Sequence, residues 1–201
     1  MNRPAATTIA VFLAIILVVG VVVAVVGLGT DGATALQVGD AELSQKSLND
    51  ELREFASNPA LVNAVGQDNV SVAPGSVNAQ GTAFVATFWI QQQVAKRILE
   101  RRDERVTGDD RASADDFFTG NFGGAFDSYP QSFQQRLKNR VAAVAAVVRI
   151  SSDNTYRRLL RREAERAGVT VDPAYGLYRP RSVSVGRFPT PATPPGRSTP
   201  S

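Results

Sequence analysis

Neither cysteine nor histidine occurs anywhere in the 201-residue chain. Their absence excludes disulfides, thiolate nucleophiles, imidazole bases and nearly every zinc or haem ligand set, and with them most familiar catalytic arrangements. With no lipid-attachment cysteine after the apolar start, any anchor must be protein. The net charge is also small, at +3, its excess lying in Arg-rich stretches and an acid-free tail with Arg179, Arg181, Arg187 and Arg197. Neither a zinc-finger pattern nor an aromatic RNP strand accompanies that charge, so no nucleic-acid partner is expected. No EF-hand spacing organises Asp109, Asp110, Asp115 and Asp116, which read as a solvated loop and helix N-terminus. No metal, no cofactor and no enzymatic activity are expected.

What the chain does have is one long apolar run. From Ile9 to Leu28 about twenty residues carry no charge, which at 1.5 Å rise per residue matches a hydrocarbon core of ~30 Å. Fifteen of them are Leu, Ile, Phe or Val, so Gly20 and Gly27 do not cancel insertion. The reading is a transmembrane helix at residues 8–28 contacting the lipid bilayer. Residues 1–7 are cytoplasmic, because Arg3 and the terminal amine precede the span while Asp31, Asp40 and Glu42 follow it. The expected location is the plasma membrane, single-pass, with the rest extracytoplasmic. A cleaved signal peptide is the competing reading, since Ala33-Thr34-Ala35 has the small-x-small form of a cleavage site. The run is longer than the usual signal core of about 7 to 15 residues, which favours an anchor. Val141 to Val148 is too short to span and reads as a buried helix face.

Residues 29–35 form a linker, and the remaining apolar content suits one mainly α domain over residues 36–178. Leu36-Gln37-Val38 before Gly39-Asp40 predicts a short strand and turn. Ser44 caps a helix whose apolar positions are Leu48, Leu52 and Phe55, up to Asn58-Pro59. A loop follows over Asn69 to Gly81, then an amphipathic helix from Thr82 to Arg105 with Trp89 beside its apolar face. Thr107-Gly108 ends that helix, and a short one capped near Ser113 runs from Ala112 to Thr119. After the break Asn121-Phe-Gly-Gly124 comes a helix from Gln131 to Ile150 with Phe133, Leu137, Val141, Val144 and Val148 in one stripe. A last helix, capped within Ser151 to Asp153, ends at Gly168. Its Arg157, Arg158, Arg161, Arg162 and Arg166 interleave with Glu163 and Glu165 as a solvated face. Six of the eleven prolines follow Arg179, so residues 179–201 are expected to be a disordered spacer or a polyproline-type ligand.

Three segments, taken in order, resemble the N-terminal domain of the SurA-like periplasmic chaperones, a domain also found in membrane-tethered actinobacterial proteins. They are Ala35-Leu-Gln-Val-Gly-Asp40 with Ala41-Glu-Leu-Ser44 and Leu48 to Leu52; Ala125-Phe-Asp-Ser-Tyr-Pro130 with the long helix behind it; and Val169-Thr-Val-Asp-Pro173-Ala-Tyr-Gly176. Ala174 stands where the family usually has arginine. The resemblance implies an irregular helical bundle whose N- and C-terminal helices pack together, and chaperone-like binding of unfolded or exported polypeptides. Parvulin isomerase modules often accompany this domain, but no room for one remains here, and the paired histidines of parvulin sites are missing. The alternative is a structural protein of the cell envelope that docks one folded partner.

Under the first reading, Phe84, Phe88, Trp89, Phe118, Phe122 and Phe126 are the candidate client-binding residues, because aromatic rings offer large contact area at low entropic cost. The opposing reading is ordinary core, favoured by the helical spacing of Phe84, Phe88 and Phe133. Phe122, in a glycine-rich break, is the best candidate for exposure.

Overall fold

The computed structural model describes residues 32–58, 79–151 and 155–186. The membrane span predicted at residues 8–28 lies outside them, as does most of the proline-rich tail. Among the described residues no helix is long and apolar enough to cross a membrane. They form five helices packed as a bundle, with two small antiparallel sheets at its side.

The chain enters through strand β1 (Thr34–Val38) and turns back into β2 (Ala41–Ser44). Val38 pairs with Ala41, so only Gly39 and Asp40 make the turn, and Gly39 takes φ +59, a left-handed value that glycine adopts without steric cost. Ala35 is an extra residue in the ladder and is itself buried. The fold therefore begins two residues earlier than the predicted boundary, inside the expected linker. Ser44 closes β2 and opens α1 (Gln45–Ala56), its hydroxyl accepting the Ser47 amide at 3.1 Å. Leu48, Leu52 and Phe55 turn inward at helical spacing, as the pattern predicts.

Helix α2 (Ala79–Arg101) is the hub of the bundle. It starts three residues before the predicted Thr82, and Gln80 through Gln91 are buried without interruption. An amphipathic pattern is lost over this stretch because other elements cover the helix on several sides. Trp89, expected beside the apolar face, is buried with the rest.

Helix α3 (Gly108–Phe122) begins well before Ser113. Thr107 and Asp110 form a reciprocal capping box: the Thr107 amide donates to Asp110 Oδ2 at 2.8 Å, and the Asp110 amide to Thr107 Oγ1 at 3.4 Å. The Thr107-Gly108 pair that reads as a stop is thus a start. A 3₁₀ turn over Gly123–Ser128 replaces the expected break, and α4 (Gln131–Arg149) follows Pro130. Every residue from Arg140 to Val147 is buried, and the alanines among them let α4 lie closely against α2 and α3.

Helix α5 (Tyr156–Ala167) buries Tyr156, Leu160, Glu163 and Ala164, and stops at Gly168 with φ +75. Of its predicted caps, Ser152 and Asp153 lie outside the described residues, and Ser151 donates back to the Val147 carbonyl of α4 at 2.6 Å. Strand β3 (Val169–Val171) then pairs antiparallel with β1, joining Leu36 to Val171 and Val38 to Val169 in a sheet of order β2-β1-β3. A second hairpin, β4 (Leu177–Arg179) and β5 (Ser184–Gly186), lies against α2. Val183 and Val185 are buried there, so the folded part extends past Tyr178 to Gly186, and the predicted disordered tail does not begin at Arg179.

Candidate functional site

The six predicted client-binding aromatics are all buried. The five phenylalanines among them belong to one lattice of rings between α2, α3 and the 3₁₀ turn. Phe84 meets Phe88 edge-on at 4.6 Å between centroids, Phe84 meets Phe122 at 6.1 Å, and Phe118 stacks on Phe126 at 4.0 Å. Trp89 shares the same core. Phe122, the residue expected to be most open, is 8% exposed: its helix continues into the predicted break as far as Phe122 itself and turns the ring inward. Burial therefore makes these residues core, and none presents a ring to an arriving polypeptide in this conformation. Leu177, 44% exposed, is the one large apolar side chain standing in solvent among the described residues.

Two acidic residues that look solvated in the sequence are interior. Asp110 accepts from Arg149 Nε at 3.1 Å as well as capping α3, tying the start of α3 to the end of α4. The hydrogen bond from Arg149 to Asp110 raises the guanidinium's pKa, strengthening a charge that is permanent in any case. Glu163 has only 4% of its side chain exposed and gathers Arg97 at 3.5 Å, Arg101 at 3.3 Å and Arg166 at 3.1 Å. One buried carboxylate thus holds the α2–α5 seam against three guanidiniums. No group of acidic side chains able to hold a metal ion occurs among the described residues.

The tyrosines are anchors of the same kind. Tyr129 donates from its hydroxyl to the Phe55 carbonyl at 2.7 Å, and burial raises its pKa. Tyr175 donates to Asn49 Oδ1 at 3.0 Å, and burial raises its pKa also. Tyr178 is pushed up to about 12, by burial first and by the charge of Glu165 second.

One constellation escapes sequence reasoning. Thr87 and Gln91, one turn apart on α2, hold the backbone where the hairpin turn runs into β5. The Val185 amide donates to Thr87 Oγ1 at 2.9 Å, and Gln91 Nε2 donates to the Val183 carbonyl at 3.1 Å. Val183 and Val185 are 2% and 5% exposed. Two signals for it exist in the sequence: polar residues at i and i+4 within an apolar helix, and the alternation Val183-Ser184-Val185 inside the supposed tail. No family model, no curated protein and no solved structure matches the chain.

Proposed function

We propose that the chain is a membrane-anchored, extracytoplasmic, chaperone-like protein that binds unfolded or translocated polypeptides without isomerase activity. The observation that carries this reading is the β1–β3 pairing. Two of the three segments that resemble the SurA-like N-terminal domain, Ala35 to Asp40 and Val169 to Gly176, are neighbours in one sheet. A side-chain bridge from Gln45 Nε2 to Asp172 Oδ2 at 2.7 Å and the Asp172 amide on the Ala35 carbonyl at 2.8 Å add to it. The two ends of the domain thus meet chiefly through strands, where the resemblance implies packing of its first and last helices. The complete absence of histidine supports a binding role over a parvulin-type isomerase.

The decisive experiment is suppression of aggregation by the purified chain, measured by light scattering on several chemically unfolded clients. Suppression at near-stoichiometric ratios supports the reading, and no effect on any client at excess overturns it. Crosslinking in cells separates it from the envelope-docking alternative: a broad set of exported proteins supports the chaperone role, one recurrent folded partner the other.

A further inference from the structure

The hold of Thr87 and Gln91 on the backbone of Val183 and Val185 is recognition of backbone by side chains, which is indifferent to the sequence of the chain it holds. Specificity comes from the two valines, which enter the bundle two residues apart while Ser184 pairs outward with Arg179. The fit is imperfect in two independent ways. Val183 sits at φ +48, a left-handed backbone that a β-branched residue adopts only under strain. Gln91 is buried, yet its Oε1 has no hydrogen-bond partner among the described residues. Turn chemistry at position 183 calls for glycine or asparagine, and packing against α2 calls for valine; packing has won at the cost of strain.

We propose that this face of α2 is a docking groove for an extended polypeptide with β-branched apolar residues two positions apart, and that the chain's own Val183–Gly186 segment occupies it until exchanged. The proposal rests on the client-binding reading and supplies the surface that the buried aromatics do not. An incoming strand with ordinary extended φ carries none of the strain at Val183. A donor reaching Gln91 Oε1 satisfies the orphaned acceptor. Both differences favour exchange, while self-occupancy keeps apolar surface covered when no client is present.

The test uses the full chain and a fluorescein-labelled Ser-Val-Ser-Val-Gly-Arg peptide, copied from residues 182–187, followed by anisotropy. V183S/V185S should release the chain's own segment and bind the peptide at least tenfold more tightly than wild type. Adding T87V and Q91L should return binding to the wild-type level. A folded V183S/V185S variant that binds no better than wild type overturns the proposal. Hydrogen exchange on the wild-type chain decides the case even where the variant does not fold. The Val185 amide should exchange at least 100-fold faster than the paired amides of β1 and β3, and exchange at their common rate overturns the groove. Aggregation suppression that persists while the groove fails leaves the chaperone reading standing. A peptide that docks in the absence of any suppression retains the groove and removes the chaperone.

Discussion

At the scale of single residues, Glu163 is the side chain on which most charge depends. Removing one partner of a buried ion pair leaves the others uncompensated, at a usual cost of roughly 3–5 kcal/mol. Arg97, Arg101 and Arg166 keep 31%, 46% and 59% of their side chains in water, so much of that penalty is relieved by solvent. Glu163→Ala is therefore expected to cost about 2 kcal/mol in urea unfolding, with Glu163→Gln intermediate; an unchanged midpoint would show that the arginines hold the seam by packing alone. The tyrosines give a pH dependence of definite sign. A phenol whose pKa is raised by folding stabilises fully below its unfolded value near 10, and the contribution is lost as pH climbs toward the folded value. Tyr178, at about 12, and Tyr129, also raised, place that loss above pH 10. The urea midpoint should fall between pH 8 and pH 11, and fall less in Y129F/Y178F. An identical drop in both proteins would remove the tyrosines from the cause.

Among whole elements, α1 shows how a part-buried polar ladder supplements apolar contact. Glu51 pairs with Arg140 at 2.6 Å and Glu54 with Arg136, while Glu51 Oε2 and Arg140 Nη1 are buried without hydrogen-bond partners among the described residues. A half-satisfied pair contributes little net stability, but its halves are costly alone. Glu51→Leu should therefore destabilise by about 3 kcal/mol, and the double variant E51L/R140M should recover to within about 1 kcal/mol of wild type. Additive losses in that double-mutant cycle would refute the coupling. Sequence legibility follows the same division between local and distant causes. Ser44 and Gly168 mark their helix ends correctly because one hydroxyl and one positive φ settle the matter locally. Thr107-Gly108 is ambiguous because glycine follows helices more often than it opens them, and only Asp110, three residues on, resolves it. The burial of Asp110 and Glu163 depends on arginines 39 and up to 66 positions away (149 − 110 and 163 − 97), beyond any local pattern. Phe122 fails for the same reason, since neighbouring rings from α2 and α3, not its own glycines, determine its exposure.

For the molecule as a whole, the question is where the folded body ends, and composition misleads because proline content near the C-terminus outweighs one valine pair. Val183 and Val185 both lose nearly all contact with water against α2, and burying a valine stabilises by roughly 1.5 kcal/mol or more. A stop after Tyr178 removes both, leaves Thr87 Oγ1 and Gln91 Nε2 without the backbone they hold, and opens an apolar face on the central helix. The expected loss is about 3 kcal/mol, a large share of the roughly 5–15 kcal/mol available to a domain, and about a 10 °C fall in Tm. A stop after Gly186 keeps every one of these contacts and should melt with the full chain. The two truncations differ by eight residues, so calorimetry on the pair isolates β5 and its turn. Equal melting temperatures would mean that the hairpin rests on the bundle without supporting it, and would place the end of the cooperative unit back at Tyr178.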